Sequence, residues 1–269
     1  MNIQLPFIPQ RTPKPRSSGI TMMMDKGLSV SEAENLMSVA SDLIDYAKLG
    51  FGTSIVSKQV KEKVKVYKAS GVTPYVGGTL FEACIIRNMF DEYRRWIDEL
   101  GISTVEVSDG TIFMEHDVKC DYIALLSKQY QVLSEVGAKE TGIMITPKKW
   151  INMMQAELDA GAIKVIAEAR ESGNVGIYRP TGSSHTSLIS KIITTIKADN
   201  VIWEAPLKSQ QIWFIKLLGA NVNLGNISPQ EIIPLETLRL GMRGDTFFEF
   251  LPEHMHAHKL TNHFLSRKK

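Results

Sequence analysis

The chain has 269 residues, is 43% hydrophobic, and carries 31 Lys and Arg against 29 Asp and Glu, for a formal net charge of +2. That near balance argues against a dedicated nucleic-acid binder, which concentrates basic residues on one face. No apolar run reaches the roughly 18 residues that a membrane helix needs, so no membrane span is expected.

Read forward, short apolar runs alternate with amphipathic segments. Strands are predicted over 20–25, 46–50, 74–78, 104–108, 132–137, 163–168, 201–204 and 221–225. Helical spacing is seen over 32–43, 90–100, 121–130, 147–160, 186–196, 209–218 and 229–240. In the first helix Ala33, Leu36, Met37 and Ala40 share a face, and Ser31 and Glu34 have capping-box spacing. Several helices run into Gly (Gly101, Gly161, Gly219, Gly241), the residue that most easily supplies a left-handed closing turn. Eight βα units in a chain of this length fit a single (β/α)8 TIM barrel better than an open doubly wound sheet.

Residues 1–19 contain four of the 11 prolines and read as an extended arm. Residues 20–249 form the expected barrel. Residues 250–269, with His254, His256, His258 and His263, read as a polar tail. The amino-terminal stretch lacks the apolar centre of a signal peptide, which points to the cytoplasm. Cys84 and Cys120 form no CxxC pair and are expected to be free thiols.

A barrel places its chemistry at the carboxyl ends of the strands. Charges gather there: Asp25, Lys48, Glu82, Glu106, Asp109, Glu135, Lys139, Glu168, Arg170 and Glu204. A set of buried charges is costly unless it is paired or bound to a ligand. Either an internal ring of ion pairs or a site for a small, multiply charged anion is therefore expected. Carboxylates are hard oxygen ligands suited to Mg²⁺, and no histidine falls at a strand end to suggest zinc. Glycines at Gly77, Gly78 and Gly225, with Asn226 beside the last, would let backbone N–H groups approach an anion. Arg16, Arg170, Arg239 and Arg243 are candidates for bidentate grip on phosphate or carboxylate. Lys48 and Lys139 read equally well as proton-transfer groups or as fixed cations.

Nine segments, in order along the chain, carry a resemblance. They are 15–25 (PRSSGITMMMD), 48–54 (KLGFGTS), 77–82 (GGTLFE), 107–110 (VSDG), 135–139 (EVGAK), 170–173 (RESG), 202–208 (IWEAPLK), 221–227 (NVNLGNI) and 235–246 (LETLRLGMRGDT). Together they resemble the phosphosulfolactate synthase family over nearly the whole length. Val76 and Ala169 depart from the family pattern, where Pro and Gly are common. The resemblance implies a Mg²⁺-dependent barrel enzyme that adds sulfite to phosphoenolpyruvate to give (2R)-phospho-3-sulfolactate, and an oligomer of identical chains, with a trimer as one form. It suggests Lys139 as the proton donor, with Lys48 and Arg170 as further catalytic groups. Asp25, Glu106, Asp109, Glu168 and Glu204 compete for the metal. Arg16, Lys48, Gly77, Gly78, Arg170, Asn223, Gly225, Asn226 and Arg239 would hold the substrates. The alternatives are a non-catalytic relative of the plant heat-stress-associated kind, or another lyase or aldolase acting on a phosphorylated acid.

Overall fold

A computed structural model describes residues 3–137, 145–170 and 172–260. Lys139 lies outside the described residues, as do residues 261–269 of the expected tail.

Eight parallel strands line the centre: β1 (Thr21–Asp25), β2 (Tyr46–Leu49), β3 (Thr73–Val76), β4 (Thr104–Val107), β5 (Gln131–Val136), β6 (Ala162–Ala167), β7 (Val201–Glu204) and β8 (Leu224–Ile227). Their hydrogen-bonded order is β3-β2-β1-β8-β7-β6-β5-β4. The two end strands, β3 and β4, pack against each other and bring the sheet nearly to closure. Among the described residues that seam carries no registered ladder. It is bridged instead by a side chain, since the Gly78 amide donates to Glu106 Oε1 at 2.6 Å. The architecture is the expected (β/α)8 barrel.

Around the strands run α1 (Val30–Ala40), α2 (Thr53–Val56), α3 (Val60–Ala69), α4 (Gly78–Ile85) and α5 (Phe90–Leu100). They are followed by α6 (His116–Leu126), α7 (Pro147–Asp159), α8 (Thr186–Thr195), α9 (Lys208–Leu218) and α10 (Ile232–Arg239). Both faces of a parallel sheet are covered, so the strands are apolar almost throughout. Met23, Ala47, Val105, Val132, Val165 and Ile202 are fully buried. In α5 the buried residues Tyr93, Ile97 and Leu100 recur at helical spacing, and Gly101 closes the helix at φ +65°.

Several local expectations shift: Gly78, expected to end a strand, begins α4, and the helix expected over 121–130 is α6, His116–Leu126. The capping box of α1 is built by Ser29 and Glu32, not by Ser31 and Glu34: Glu32 N donates to Ser29 Oγ, and Glu32 returns a carboxylate to Ser29 N at 2.8 Å. Both serines have the required spacing to a glutamate, and the turn after Asp25 selects the earlier one. In that turn the Gly27 and Leu28 amides bond to Asp25 Oδ1 at 2.8 Å each. The last strand begins three residues later than the expected 221, at Leu224, because Asn221 and Asn223 are occupied by the arm and the strand starts beneath it.

The arm packs as part of the fold. It crosses the amino-terminal end of the barrel, where Arg11 pairs with Glu236 at 2.8 Å and donates to the Ala220 and Gly19 carbonyls. Arg16 pairs with Asp45 at 2.9 Å, and the Ser17 carbonyl accepts from Lys164 and Asn223. At the other end of the chain, His256 Nε2 lies 3.2 Å from the Leu251 carbonyl and its ring meets Phe248 edge-on. No helix among the described residues is long and apolar enough to cross a membrane.

Candidate active site

At the carboxyl ends of the strands lies a cavity of about 390 Å³ bordered by Met24, Lys48, Phe51, Gly77, Thr79, Thr111, Glu135, Glu168, Ala169, Arg170, Ser172, Glu204 and Asn226. An adjoining cavity of about 180 Å³ shares Met24, Phe51 and Asn226 with it and adds Lys26, Pro206 and Ser228. The residues come from all eight strand ends and the loops that follow them, and parallel register explains their convergence. In β1, β2 and β3 the partners Met24, Lys48 and Tyr75 stand side by side.

Lys48 is the centre of charge. Its Nζ lies 3.0 Å from Glu106 Oε2, 3.1 Å from Glu135 Oε2 and 3.4 Å from Glu204 Oε1, and all four residues are buried. Burial works against the ammonium, but Glu106, Glu135 and Glu204 more than offset it and hold Lys48 well above its ordinary range. The three carboxylates thus favour the charged form of Lys48. Beneath it the Tyr75 hydroxyl is fully buried, and burial together with Glu106 keeps it protonated.

Glu204 is a perturbed acid within this group. Burial, with the nearby negative charge of Glu135, pushes its carboxyl up to about 8, although Lys48 and the Ala169 amide pull the other way. That amide donates to Glu204 Oε2 at 2.7 Å, so the loop after β6 is tied to the end of β7. The Tyr178 hydroxyl adds a second tie, to the Glu204 carbonyl, at 2.7 Å. Carboxylate oxygens of Glu135, Glu168 and Glu204 lie within 4.8 Å of one another. Three buried carboxylates this close raise one another's energy unless a cation or protons intervene. The donor set is all oxygen, as Mg²⁺ prefers.

The structure brings together Lys48, Gly77, Glu106, Glu168, Arg170, Glu204 and Asn226 from the expected set. Arg170 is exposed at the rim. Asn226, at φ +57°, donates to the Ala169 carbonyl at 3.2 Å while its buried Oδ1 has no hydrogen-bond partner among the described residues.

Other expected residues lie elsewhere, each for a visible reason. Arg16, Asn223 and Arg239 sit at the opposite end of the barrel and hold the arm and the strand starts. Arg239, fully buried, donates to the Ala220 and Val222 carbonyls at 2.7 Å and to that of Ile20 at 3.1 Å. Asp25 stands at the correct end, but both its oxygens are engaged, one by the Gly27 and Leu28 amides and the other by Tyr67 Oη at 2.8 Å and Lys63 Nζ at 2.7 Å. Asp109 turns outward to Lys119, 2.8 Å away. Gly225 faces the barrel interior, where its missing side chain makes room for Met22, Ile202 and Glu204. The Gly78 amide is committed to Glu106.

The expected metal set omits Glu135, although that residue belongs to the cluster. The signal was its place two residues before Gly137 near the end of β5. Gly137, at φ +145°, leaves space that Glu168 and Trp150 fill. Glu82 is a further buried acid at this end; it accepts from the Ser108 hydroxyl and from the Thr111 amide at 2.8 Å, and so shapes the loop after β4. Thr79, Thr111 and Ser172 border the cavity without any charge that would have singled them out.

Comparison with known proteins bears on the family and the fold. Residues 9–245 match the family model described as (2R)-phospho-3-sulfolactate synthase (ComA). The phosphosulfolactate synthase of Methanothermobacter thermautotrophicus is 44% identical over 244 residues, 88% of this chain and 95% of that one. The phosphosulfolactate synthase of Bacillus subtilis is 40% identical over 244 residues, covering 90% and 97%. Among solved structures, 3-hexulose-6-phosphate synthase from Salmonella typhimurium superposes with a TM-score of 0.51 at 14% identity, covering 83% of this chain and 100% of that one. At that identity the likeness is one of fold.

Proposed function

The chain belongs to the (2R)-phospho-3-sulfolactate synthase family, and from that membership we propose that it is a carbon–sulfur lyase, run in the direction that adds sulfite to phosphoenolpyruvate. The observation that carries the reading is the Lys48 ammonium held among Glu106, Glu135 and Glu204 on the floor of a strand-end cavity, with Arg170 at its rim.

In the proposed reaction a lone pair on the sulfite sulfur forms the C–S bond at C3 of phosphoenolpyruvate. The C2–C3 π pair moves to C2 and is shared with the carboxylate, and a proton then joins C2 to complete (2R)-phospho-3-sulfolactate. Nothing is oxidised by an outside acceptor, and no other group leaves. Lys48 contributes a positive charge that does not titrate near neutrality, placed where negative charge develops on the substrate carboxylate. Arg170 grips phosphate or carboxylate from the rim. Lys139, two residues past Gly137 in the sequence, remains the proposed proton donor to C2. Glu135, Glu168 and Glu204 would hold Mg²⁺, which when bound would offset the charge gathering on the substrate oxygens.

The test is to incubate the purified protein with phosphoenolpyruvate, sulfite and Mg²⁺ and follow the mixture by phosphorus NMR. A new resonance that co-migrates with authentic phosphosulfolactate and depends on sulfite is expected. Consumption of phosphoenolpyruvate without sulfite, or a lysine trapped by borohydride, would assign the site to other chemistry.

A further inference from the structure

Behind the cavity wall lies a second charged group that the proposed reaction does not use. Lys119, on α6, is fully buried. Its Nζ makes three contacts: the Glu135 carbonyl at 2.6 Å, Asp109 Oδ1 at 2.8 Å and Glu157 Oε1 at 2.9 Å. An ammonium has three protons to donate, so the group is complete. Glu157, on α7, is also fully buried, and its Oε1 lies 3.2 Å from His116 Nε2.

The position of this group matters more than its charge count. The ladder between β4 and β5 ends at the pair Val107 and Ser134. The next carbonyl along β5, that of Glu135, takes its hydrogen bond from Lys119, as though the lysine supplied one more rung. Asp109, just past the end of β4, is gathered by the same ammonium. The end of β5 is thereby held by an ammonium anchored on α6 and α7, at the residue whose side chain lies near Glu168, Glu204 and Lys48.

We infer that Lys119 is a positioning residue: its contact with the Glu135 carbonyl sets where the Glu135 carboxylate stands within the Glu135–Glu168–Glu204 set. This rests on reading that set as the place where a divalent cation binds. A purely structural lysine would stabilise the barrel and leave cation affinity alone. A positioning lysine alters affinity even when stability is restored.

The experiment uses the whole protein and Mn²⁺ as the probe, with free Mn²⁺ followed by electron paramagnetic resonance. Lys119→Met alone strands the buried Glu157 and the half-buried Asp109 carboxylates and is expected to unfold at lower temperature. The informative variant adds Asp109→Asn and Glu157→Gln, which neutralise the group together. Cooperative unfolding with Mn²⁺ affinity weakened about 10- to 100-fold supports the inference, since partners that orient ligands typically contribute that much. A folded triple variant that binds Mn²⁺ as tightly as the wild type overturns it. If the triple variant fails to fold, Lys119→Arg decides: the charge is kept but the three-way geometry is not, so weaker Mn²⁺ binding is expected and unchanged binding overturns the inference. Wild-type protein that binds no Mn²⁺ would overturn it too. Wild-type protein that binds Mn²⁺ yet makes no phosphosulfolactate would sink the functional reading alone.

Discussion

Lys48 Nζ stands 3.0 Å from Glu106 Oε2, while the other oxygen of Glu106 accepts the Gly78 amide at 2.6 Å. One carboxylate thus serves the cluster and also closes the gap between β3 and β4. The buried charge cluster and barrel closure are coupled through a single side chain.

Replacing Lys48 with Met should therefore destabilise the fold as well as stop turnover. The change leaves Glu106, Glu135 and Glu204 buried without their shared cation, at a cost of about 3–5 kcal/mol. Thermal unfolding should show a fall of several degrees. Lys48→Arg should recover much of that stability and little of the turnover, because a planar guanidinium cannot take the place of a compact ammonium among three carboxylates. A stable, active Lys48→Met protein would contradict this account.

Glu204 makes stability depend on pH in a defined direction. Its folded value of about 8 lies above the ordinary 4.5, so the native state binds a proton that the unfolded chain releases. Stability from this group is full at acid pH and is lost as pH rises through about 4.5 to about 8. In buffer containing a chelator, Glu204→Gln should gain on the wild type in melting temperature across that window. Mg²⁺ should stabilise the wild type most at the alkaline end, where the carboxylate is ionised. A difference in melting temperature that does not change with pH would rule out Glu204 as the source.

Gly78→Ala tests the seam. A Cβ there would sit 2.6 Å from Ser108 Cβ and 2.9 Å from Glu106 Oε1. The backbone is helical at this glycine, so contact, not backbone strain, is the cause. A loss of about 1–3 kcal/mol is expected from denaturant unfolding, with reduced turnover as Glu106 is displaced. Gly52→Ala is an instructive contrast: nothing lies within 4 Å of its Cβ, and only its φ of +69° opposes the change.

Lys139→Ala should lower turnover by about 100- to 10,000-fold, the range for loss of a general acid. Phosphoenolpyruvate affinity and melting temperature should change little. Near-normal turnover would remove Lys139 from the mechanism.

The barrel was legible because each strand is a short apolar run punctuated by Gly or charge, and parallel strands buried on both faces write that pattern plainly. Charges at the carboxyl ends were legible for the same reason. What a charge does there was not, since Asp25 and Glu204 look alike in sequence and differ only in what lies beside them. Asp25 has a lysine, a tyrosine and two amides to itself, whereas Glu204 has one amide and shares its lysine with Glu106 and Glu135. Arg16, before β1, and Arg239, at the end of α10, lie at the foot by their place in the chain, whereas Asn223 was misplaced because the start of the last strand was read early. That error moves residues from the foot of the barrel to its mouth. Glu135 was undervalued because the evidence for it is three-dimensional: its neighbours Glu168 and Glu204 come from other strands.

The amino-terminal arm carries a practical consequence. Residues 10–19 act as a stopper in the foot of the barrel, with Arg11 and Arg16 reaching across to Glu236 and Asp45. A fragment begun at residue 20, where composition suggests a boundary, would leave Asp45 and Glu236 without their arginines and admit water toward Arg239. The compositional border therefore falls inside a folding unit, and a shortened version should be cut before Gln10.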